Sequence, residues 1–317
     1  MKIAYFGLPL AGLLLAQDGH QVCRAVLSPL AAPGRRRLLA RLGPSVVSDA
    51  STLSTVEVAD QLRVAQPDLI VSWYYTRLIE PSWLALAPRG GIGAHPSLLP
   101  RHRGPNPFFW SIDQGDAETG VSVHQLSEAY DTGDVLTQAR LAIGERDAWQ
   151  LARALDRTSL RLLRNTVRQL SRGEELAAIQ QDDRQATWAA EPSGDELGVD
   201  WSWPTERVLR RIRALSPVPG LALELFGVRF FVIQARRSPL RPLALDPGEA
   251  ALLRSHGALQ PLLCTADGSI VVTRASWGLN DPELGLNEGE TCTGQQLSEV
   301  LLRAQPHMLD SVLESDP

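Results

Sequence analysis

Hydrophobic positions in the first 140 residues fall in short runs separated by turn residues, which is the spacing of strands alternating with helices. Residues 2–6 form one run, Gly7 follows, and an apolar helix-like stretch to about Asp18 leads into a second run at 21–27. That is the opening of a strand-helix-strand unit. Further strands are expected at 68–73, 91–95, 121–126 and 135–141, with helical pattern at 56–64 and 108–113. Alternation of this kind predicts an α/β fold, a mostly parallel sheet covered by helices.

Residues 147–170 read as one long amphipathic helix, with Leu151, Leu155, Leu160, Leu163 and Val167 on or near one face and arginines opposite. Residues 173–198 turn polar and acidic, as a linker does. A helix then starts at Trp203-Pro204-Thr205-Glu206, runs to Ala214, and stops at the SPVPG stretch of 216–220. The segments LALELF, VRFFVIQA, QPLLCTA and SIVVTRASW that follow are strands, and a small β-barrel would leave them no open edge. Trp201, Trp203 and Trp277 are expected to pack that barrel against the helix before it. The 317 residues thus divide into a first domain at 1–180, a linker at 181–203 and a second domain at 204–310.

Composition narrows the chemistry. A net charge of −5 supplies no general positive field for a phosphate backbone. Of 31 basic residues only Lys2 is a lysine, which closes off Schiff-base chemistry. Cys23, Cys264 and Cys292 are odd in number and widely spaced, so a reducing compartment and no bound metal are expected. The amino terminus enters a strand pattern without signal-peptide features, and no run is long and apolar enough to span a bilayer. A cytoplasmic protein without membrane partners is expected; oligomeric state is not legible.

Two clusters could do chemistry. His95 closes a predicted parallel strand just before Pro96, at the edge where open α/β sheets bind ligands. Asp131 lies 36 residues later in Asp131-Thr-Gly-Asp, where Gly133 allows close backbone approach. A carboxylate beside an imidazole raises its pKa and selects its tautomer, as general acid–base work near neutrality requires. Alone, the histidine could cap a strand and the aspartate could make a turn; Asp134 is read as a turn residue. His102 and His124 are read as surface or strand residues without a role.

The stretches HPSLLPRHRGPNP (95–107), ETGVSVHQL (118–126) and AYDTGDVL (129–136), with VDWSWPTERVLRRIRALSPVPG (199–220), resemble the 10-formyltetrahydrofolate-dependent formyltransferases, whose members act on methionyl-tRNA or on UDP-4-amino-arabinose. The resemblance implies a Rossmann-like catalytic domain followed by an OB-like barrel. It implies 10-formyltetrahydrofolate as formyl donor and an amine as acceptor, with His95 and Asp131 as the catalytic pair. His95 would stabilise the oxyanion or move a proton, and Asp131 would hold it and relay protons. The pterin is expected against Trp73, Tyr74, Tyr75, Leu78 and Ile79 and against Ala129 and Tyr130. The aromatics could equally be core. Gly93, Ser97, Arg103 and Gly104 would belong to the substrate loop.

The family pattern Asn-x-His here reads Gly93-x-His95. Loss of such an amide donor costs on the order of 2.7–4 kcal/mol. Asn106 could replace it, the pocket could have been emptied for another acceptor, or formyl transfer could have given way to donor hydrolysis or mere binding. Arg35, Arg36 and Arg37 make a short basic loop, the linker near 191–196 is acidic, and the second domain has few bases beyond Arg229, Arg236, Arg237 and Arg241. A small amine acceptor is therefore expected, a nucleotide-linked amino sugar or specialised metabolite, with methionyl-tRNA as the alternative.

Overall fold

The computed structural model describes residues 1–30, 32–255, 257–282, 284–305 and 312–314. It divides into two compact units. One comprises Met1–Pro107, Glu118–Ala142 and Ala152–Ala190, and the other Phe108–Ala117, Ile143–Leu151 and the described residues from Glu191 onward.

The chain runs β1 (Lys2–Gly7), α1 (Pro9–Gln17), β2 (Gln21–Leu27), α2 (Arg35–Leu42), β3 (Val47–Asp49), α3 (Thr55–Ala65), β4 (Leu69–Trp73), α4 (Pro81–Leu84), β5 (Gly91–His95), α5 (Pro107–Asp113), β6 (Glu118–Gln125), β7 (Val135–Ala142) and α6 (Ala148–Ser171). The first unit is a seven-stranded sheet in the order β3-β2-β1-β4-β5-β6-β7. The pairings from β3 to β5 are parallel, and those of β6 with β5 and β7 are antiparallel. The order reverses between β1 and β4, the switch point at which such sheets open a crevice. Gly7 is required there. It has φ +131°, and a Cβ on it would stand 1.8 Å from the Trp73 carbonyl oxygen.

Alternation along β1 divides the core between the sheet's two faces. Ile3 and Tyr5 pack with α1, α2 and Leu163 and Val167 of α6, while Ala4 and Phe6 pack with Val58, Leu62 and Trp83. Ser54 starts α3 with a reciprocal capping box to Glu57. The expected basic loop at Arg35–Arg37 is instead the first turn of α2. Arginine is a good helix former, Leu38 is fully buried, and Arg35 pairs with Asp49 at 2.7 Å. Strand β3 is too short for a periodicity to reveal it.

The second unit continues with α7 (Thr205–Leu215), β8 (Leu221–Leu225), β9 (Val228–Arg237), β10 (Ala250–Ser255), β11 (Ala258–Thr265), β12 (Gly268–Trp277), β13 (Thr291–Thr293), α8 (Gly294–Ala304) and β14 (Val312–Glu314). Where a small barrel is expected, these strands form a mostly antiparallel sheet in the order β14-β10-β11-β12-β9-β8, with β13 beside β12. The expected domain end at 310 lies outside the described residues. Trp277 is buried, and Trp203 lies under the guanidinium groups of Arg207 and Arg211 at 4.6 and 5.1 Å. Trp201 lies against the turn at Gly248.

Within this unit Asp113, at the end of α5, is buried against α7. Its carboxylate accepts from Arg211 Nε at 2.7 Å and Nη2 at 3.1 Å, and pairs with Arg207 Nη1 at 2.9 Å. Arg211 Nη1 donates to the carbonyls of Glu196 and Gly198, both at 2.7 Å, and its guanidinium lies 5.4 Å from the Phe109 ring.

Candidate functional site

Strand β5 delivers His95 to the carboxyl edge of the parallel strands, where Pro96 turns the chain out of the sheet. The ring is held at both nitrogens. Nε2 lies 2.7 Å from the carbonyl oxygen of His102, and Nδ1 lies 3.4 Å from Asp131 Oδ2. A carbonyl oxygen only accepts, so Nε2 carries a hydrogen and Nδ1 faces the carboxylate.

Asp131 arrives on the β6–β7 connection, in the left-handed region at φ +58°, which aspartate tolerates better than most residues. Gly104 N–H donates to its Oδ2 at 2.9 Å. The connection is drawn tightly onto β6 at Gly133, where a Cβ would lie 2.0 Å from the Gln125 carbonyl oxygen. Gly133→Ala is therefore expected to cost roughly 1–3 kcal/mol by forcing backbone apart. It should also loosen Asp131, and thermal unfolding together with the His95 ring NMR shift would show both effects.

The loop after His95 is held from behind. Ser122 on β6 accepts Leu99 N–H at 3.0 Å and donates to the Ser97 carbonyl at 2.7 Å, and Gln138 on β7 donates to the Leu99 carbonyl at 2.9 Å. Ser97 is buried and spends its hydroxyl on the Arg101 carbonyl at 2.6 Å. Its side chain braces the loop. Arg103 is buried too and does not extend toward solvent: it donates to Gln181 Oε1 at 2.8 Å and to Asp183 at 2.8 Å. Asn106 is half-buried, with its N–H on the Ala189 carbonyl at 3.0 Å.

Gln181 is a residue that sequence reasoning passed over. Its Nε2 donates to the carbonyls of Asp131 at 2.8 Å and Gly133 at 2.6 Å while its Oε1 receives Arg103. One amide thus ties the His95 loop to the Asp131 loop. The surrounding segment pairs Ile179 with Val135 and Trp188 with Arg103, and Thr187 accepts His102 N–H at 2.8 Å. A polar stretch reads like a linker whether water or neighbouring backbone satisfies it, so composition carries no signal for this role.

Both remaining histidines near the motifs are buried: His124 is a strand residue, one of the two expected alternatives, and His102 is neither in a strand nor at the surface. His102 supplies the carbonyl that holds His95. His124, on β6, donates from Nδ1 to the Gln125 carbonyl at 2.7 Å and brings Nε2 to 3.7 Å from Asp131 Oδ1. Burial holds its pKa below the ordinary histidine value, partly offset by Asp131.

The residues expected to meet a pterin separate into two groups. Trp73 donates from Nε1 to Ser159 at 2.8 Å, Tyr74 donates from its hydroxyl to Asp156 at 2.7 Å, and Ile79 is buried beneath α4. These three side chains are committed to the core. Burial raises the pKa values of Tyr74 and Asp156 alike. Tyr75 and Leu78 instead line a cavity of about 140 Å³ with Ser54, Arg77, Glu80 and Trp83, which His95 and Asp131 do not line. Ala129 and Tyr130 are exposed. Among the described residues no three His, Cys, Asp or Glu side chains are grouped to hold a metal ion, and no helix is long and apolar enough to cross a membrane.

Residues 16–161 match the family described as "Formyl transferase", and residues 193–280 match "Formyl transferase, C-terminal domain". The chain is 32% identical over 288 residues to the methionyl-tRNA formyltransferase of Anaeromyxobacter dehalogenans (strain 2CP-1 / ATCC BAA-258), covering 86% of this chain and 91% of that one. To the methionyl-tRNA formyltransferase of Treponema pallidum (strain Nichols) it is 37% identical over 219 residues, 66% of this chain and 68% of the relative. Its fold is similar to that of HypX from Aquifex aeolicus in complex with tetrahydrofolic acid, with TM-score 0.64 and 19% identity over 100% of this chain. The chain spans about half of HypX, 49% of its length. It is also similar in fold to WlaRD, a sugar 3N-formyl transferase, with TM-score 0.64 and 12% identity over 86% of this chain and 96% of that one.

Proposed function

We propose, from the premise that this chain belongs to the formyl transferase family, that it moves a formyl group from 10-formyltetrahydrofolate to the primary amine of a small acceptor. The observation that carries the reading is the approach of His95 to Asp131, 3.4 Å, at the carboxyl edge of the parallel strands. Of the ionisable side chains gathered there, Asp131 keeps the most exposure, 18% against 7% for His95 and 4% for His124. Proton exchange with bound reactants therefore runs through its carboxylate, with His95 behind it.

The donor is a substrate, and this chain's residues fit it in part. Tyr75 and Leu78 border open space, and Ala129 and Tyr130 are exposed beside Asp131. In the transfer a bond forms between the acceptor nitrogen and the formyl carbon, and the bond from that carbon to the donor nitrogen breaks. One proton leaves the amine and one arrives on the departing nitrogen. Asp131 backed by His95 is placed to take the first and supply the second.

A small acceptor is supported by the charge of −5 and by the occupation of the second unit's arginines. Arg236, Arg237 and Arg241 donate to Gln260, Glu206 and the Ala266 carbonyl. Methionyl-tRNA is the second reading, favoured by the long similarity to the Anaeromyxobacter enzyme. A formyl-transfer assay offering a nucleotide-linked amino sugar and charged tRNA decides between them. Turnover of the small amine is expected, with tRNA binding whose log–log salt slope stays below about 2. Turnover of charged tRNA with a steep slope would reverse the acceptor, and formate release without any amine would make the protein a hydrolase.

A further inference from the structure

Residues 187–189 are clamped to the loop that follows His95 by main-chain bonds on both sides of Trp188. Arg103 N–H donates to the Thr187 carbonyl at 2.9 Å, and Ala189 N–H donates to the Arg103 carbonyl at 2.6 Å. His102 N–H reaches Thr187 Oγ1 at 2.8 Å, and Ala189 is fully buried. Trp188 between them is 58% exposed. An indole is large and ordinarily well covered by folding, so one held out to solvent on a fixed backbone calls for an account.

The indole rests on Gly104. A Cβ there would stand 3.0 Å from Trp188 Cε2 and 3.1 Å from Cζ2, and the backbone has φ +107°, so glycine is what lets the loop pass beneath the ring. The N–H of the same glycine donates to Asp131 Oδ2 at 2.9 Å. Bond lengths and these contacts put the edge of the indole within about 9 Å of the Asp131 carboxylate. Tyr130, also exposed, comes to Asp131 on the β6–β7 connection and not on this loop.

We infer that Trp188 is a specificity-determining residue, whose open indole surface receives the sugar ring that carries the acceptor amine; the inference rests on the function proposed above. Distance selects the ring. An amine presented to Asp131 carries its own pyranose directly beside it, so that ring fits between carboxylate and indole. The base of a nucleotide-linked sugar stands a further diphosphate and ribose away and, when extended, lies beyond that span. Chemistry selects the face. C–H groups on one side of a pyranose pack on a flat apolar surface while the hydroxyls at its rim stay in water. The donor is expected on the other loop, against Ala129 and Tyr130, which leaves the Gly104 side of Asp131 to the acceptor. Because main-chain bonds already hold residues 187–189, the indole gives up little freedom on binding.

The test is calorimetric binding on the full chain, with UDP-4-amino-arabinose, UDP and 5-formyltetrahydrofolate as separate probes. In Trp188→Ala the amino sugar is expected to bind about 10-fold more weakly, the loss that removing a stacked aromatic ring brings. Trp188→Phe keeps a flat ring and is expected to stay within about threefold of the unmodified chain. UDP and the folate are expected to bind unchanged. In turnover Trp188→Ala should raise the acceptor KM and leave kcat and the donor KM unmoved. An equal loss of UDP affinity would put base or phosphate on the indole, and a loss of folate affinity would give the indole to the donor. Either overturns the inference, as does unaltered amino-sugar binding in folded Trp188→Ala, or an unmodified chain that binds no amino sugar. In the unmodified chain the pyranose C–H protons of the bound probe are expected to shift upfield under the indole ring current. Unshifted protons overturn the inference even if the variants do not fold. Amino-sugar binding that depends on Trp188 without formyl transfer would count against the proposed function and leave this inference standing; formyl transfer to the sugar indifferent to Trp188 would do the reverse.

Discussion

Asp131→Asn is expected to lower formyl transfer by about 10²–10⁴-fold, chiefly in kcat, with the fold preserved. Asparagine tolerates the left-handed backbone at φ +58°, and its side-chain oxygen can still accept Gly104 N–H. What it lacks is the ability to take up or release a proton between the amine and the departing nitrogen. Steady-state kinetics with the acceptor found by the assay above, alongside a melting curve, checks this. Undiminished kcat in Asp131→Asn would remove Asp131 from the chemistry.

The second large effect concerns stability. Asp113→Ala leaves the buried Arg211 guanidinium without its counter-charge, and removing one partner of a buried ion pair costs about 3–5 kcal/mol. Side-chain exposures of 5% for Arg211 and 1% for Asp113 leave no room for water to take over. The carbonyls of Glu196 and Gly198 and the rings of Trp203 and Phe109 still contact the guanidinium, but none of them carries a full negative charge. A fall in melting temperature on the order of 10 °C follows from that free energy. Calorimetry reads it directly, and a loss under about 1 kcal/mol would show that the carbonyl and ring contacts suffice for the arginine.

Position 93, expected from the resemblance to carry an asparagine, takes on a different sense once register is known. Read along the chain, Gly93 is a missing donor, and Asn106 in the loop that follows is a natural replacement. His124 lies directly across the sheet from Gly93, with its Nε2 3.7 Å from Asp131 Oδ1. An asparagine at 93 would therefore crowd Leu126 and the His124 imidazole, because a Cβ there already lies 3.0 Å from Leu126 Cδ2 and 3.4 Å from His124 Nε2.

Much of this molecule is decided by short-range chemistry, and that part was legible. Alternating apolar runs placed β1, β2, β4, β5, β6 and β7 within a few residues of where they lie, because a strand's period of two is written in consecutive side chains. His95 before a proline and Asp131 beside Gly133 were likewise visible, since the turns they occupy depend on neighbouring residues. The partners of those residues were not visible. His124 gains its place from the pairing of two strands, Gln181 from a segment that crosses back over two loops, and Arg211 from a helix far along the chain from Asp113. A local pattern records which conformations a stretch of chain prefers. Which buried charge meets which is set by packing between segments far apart in the chain, and only the folded protein brings those segments together.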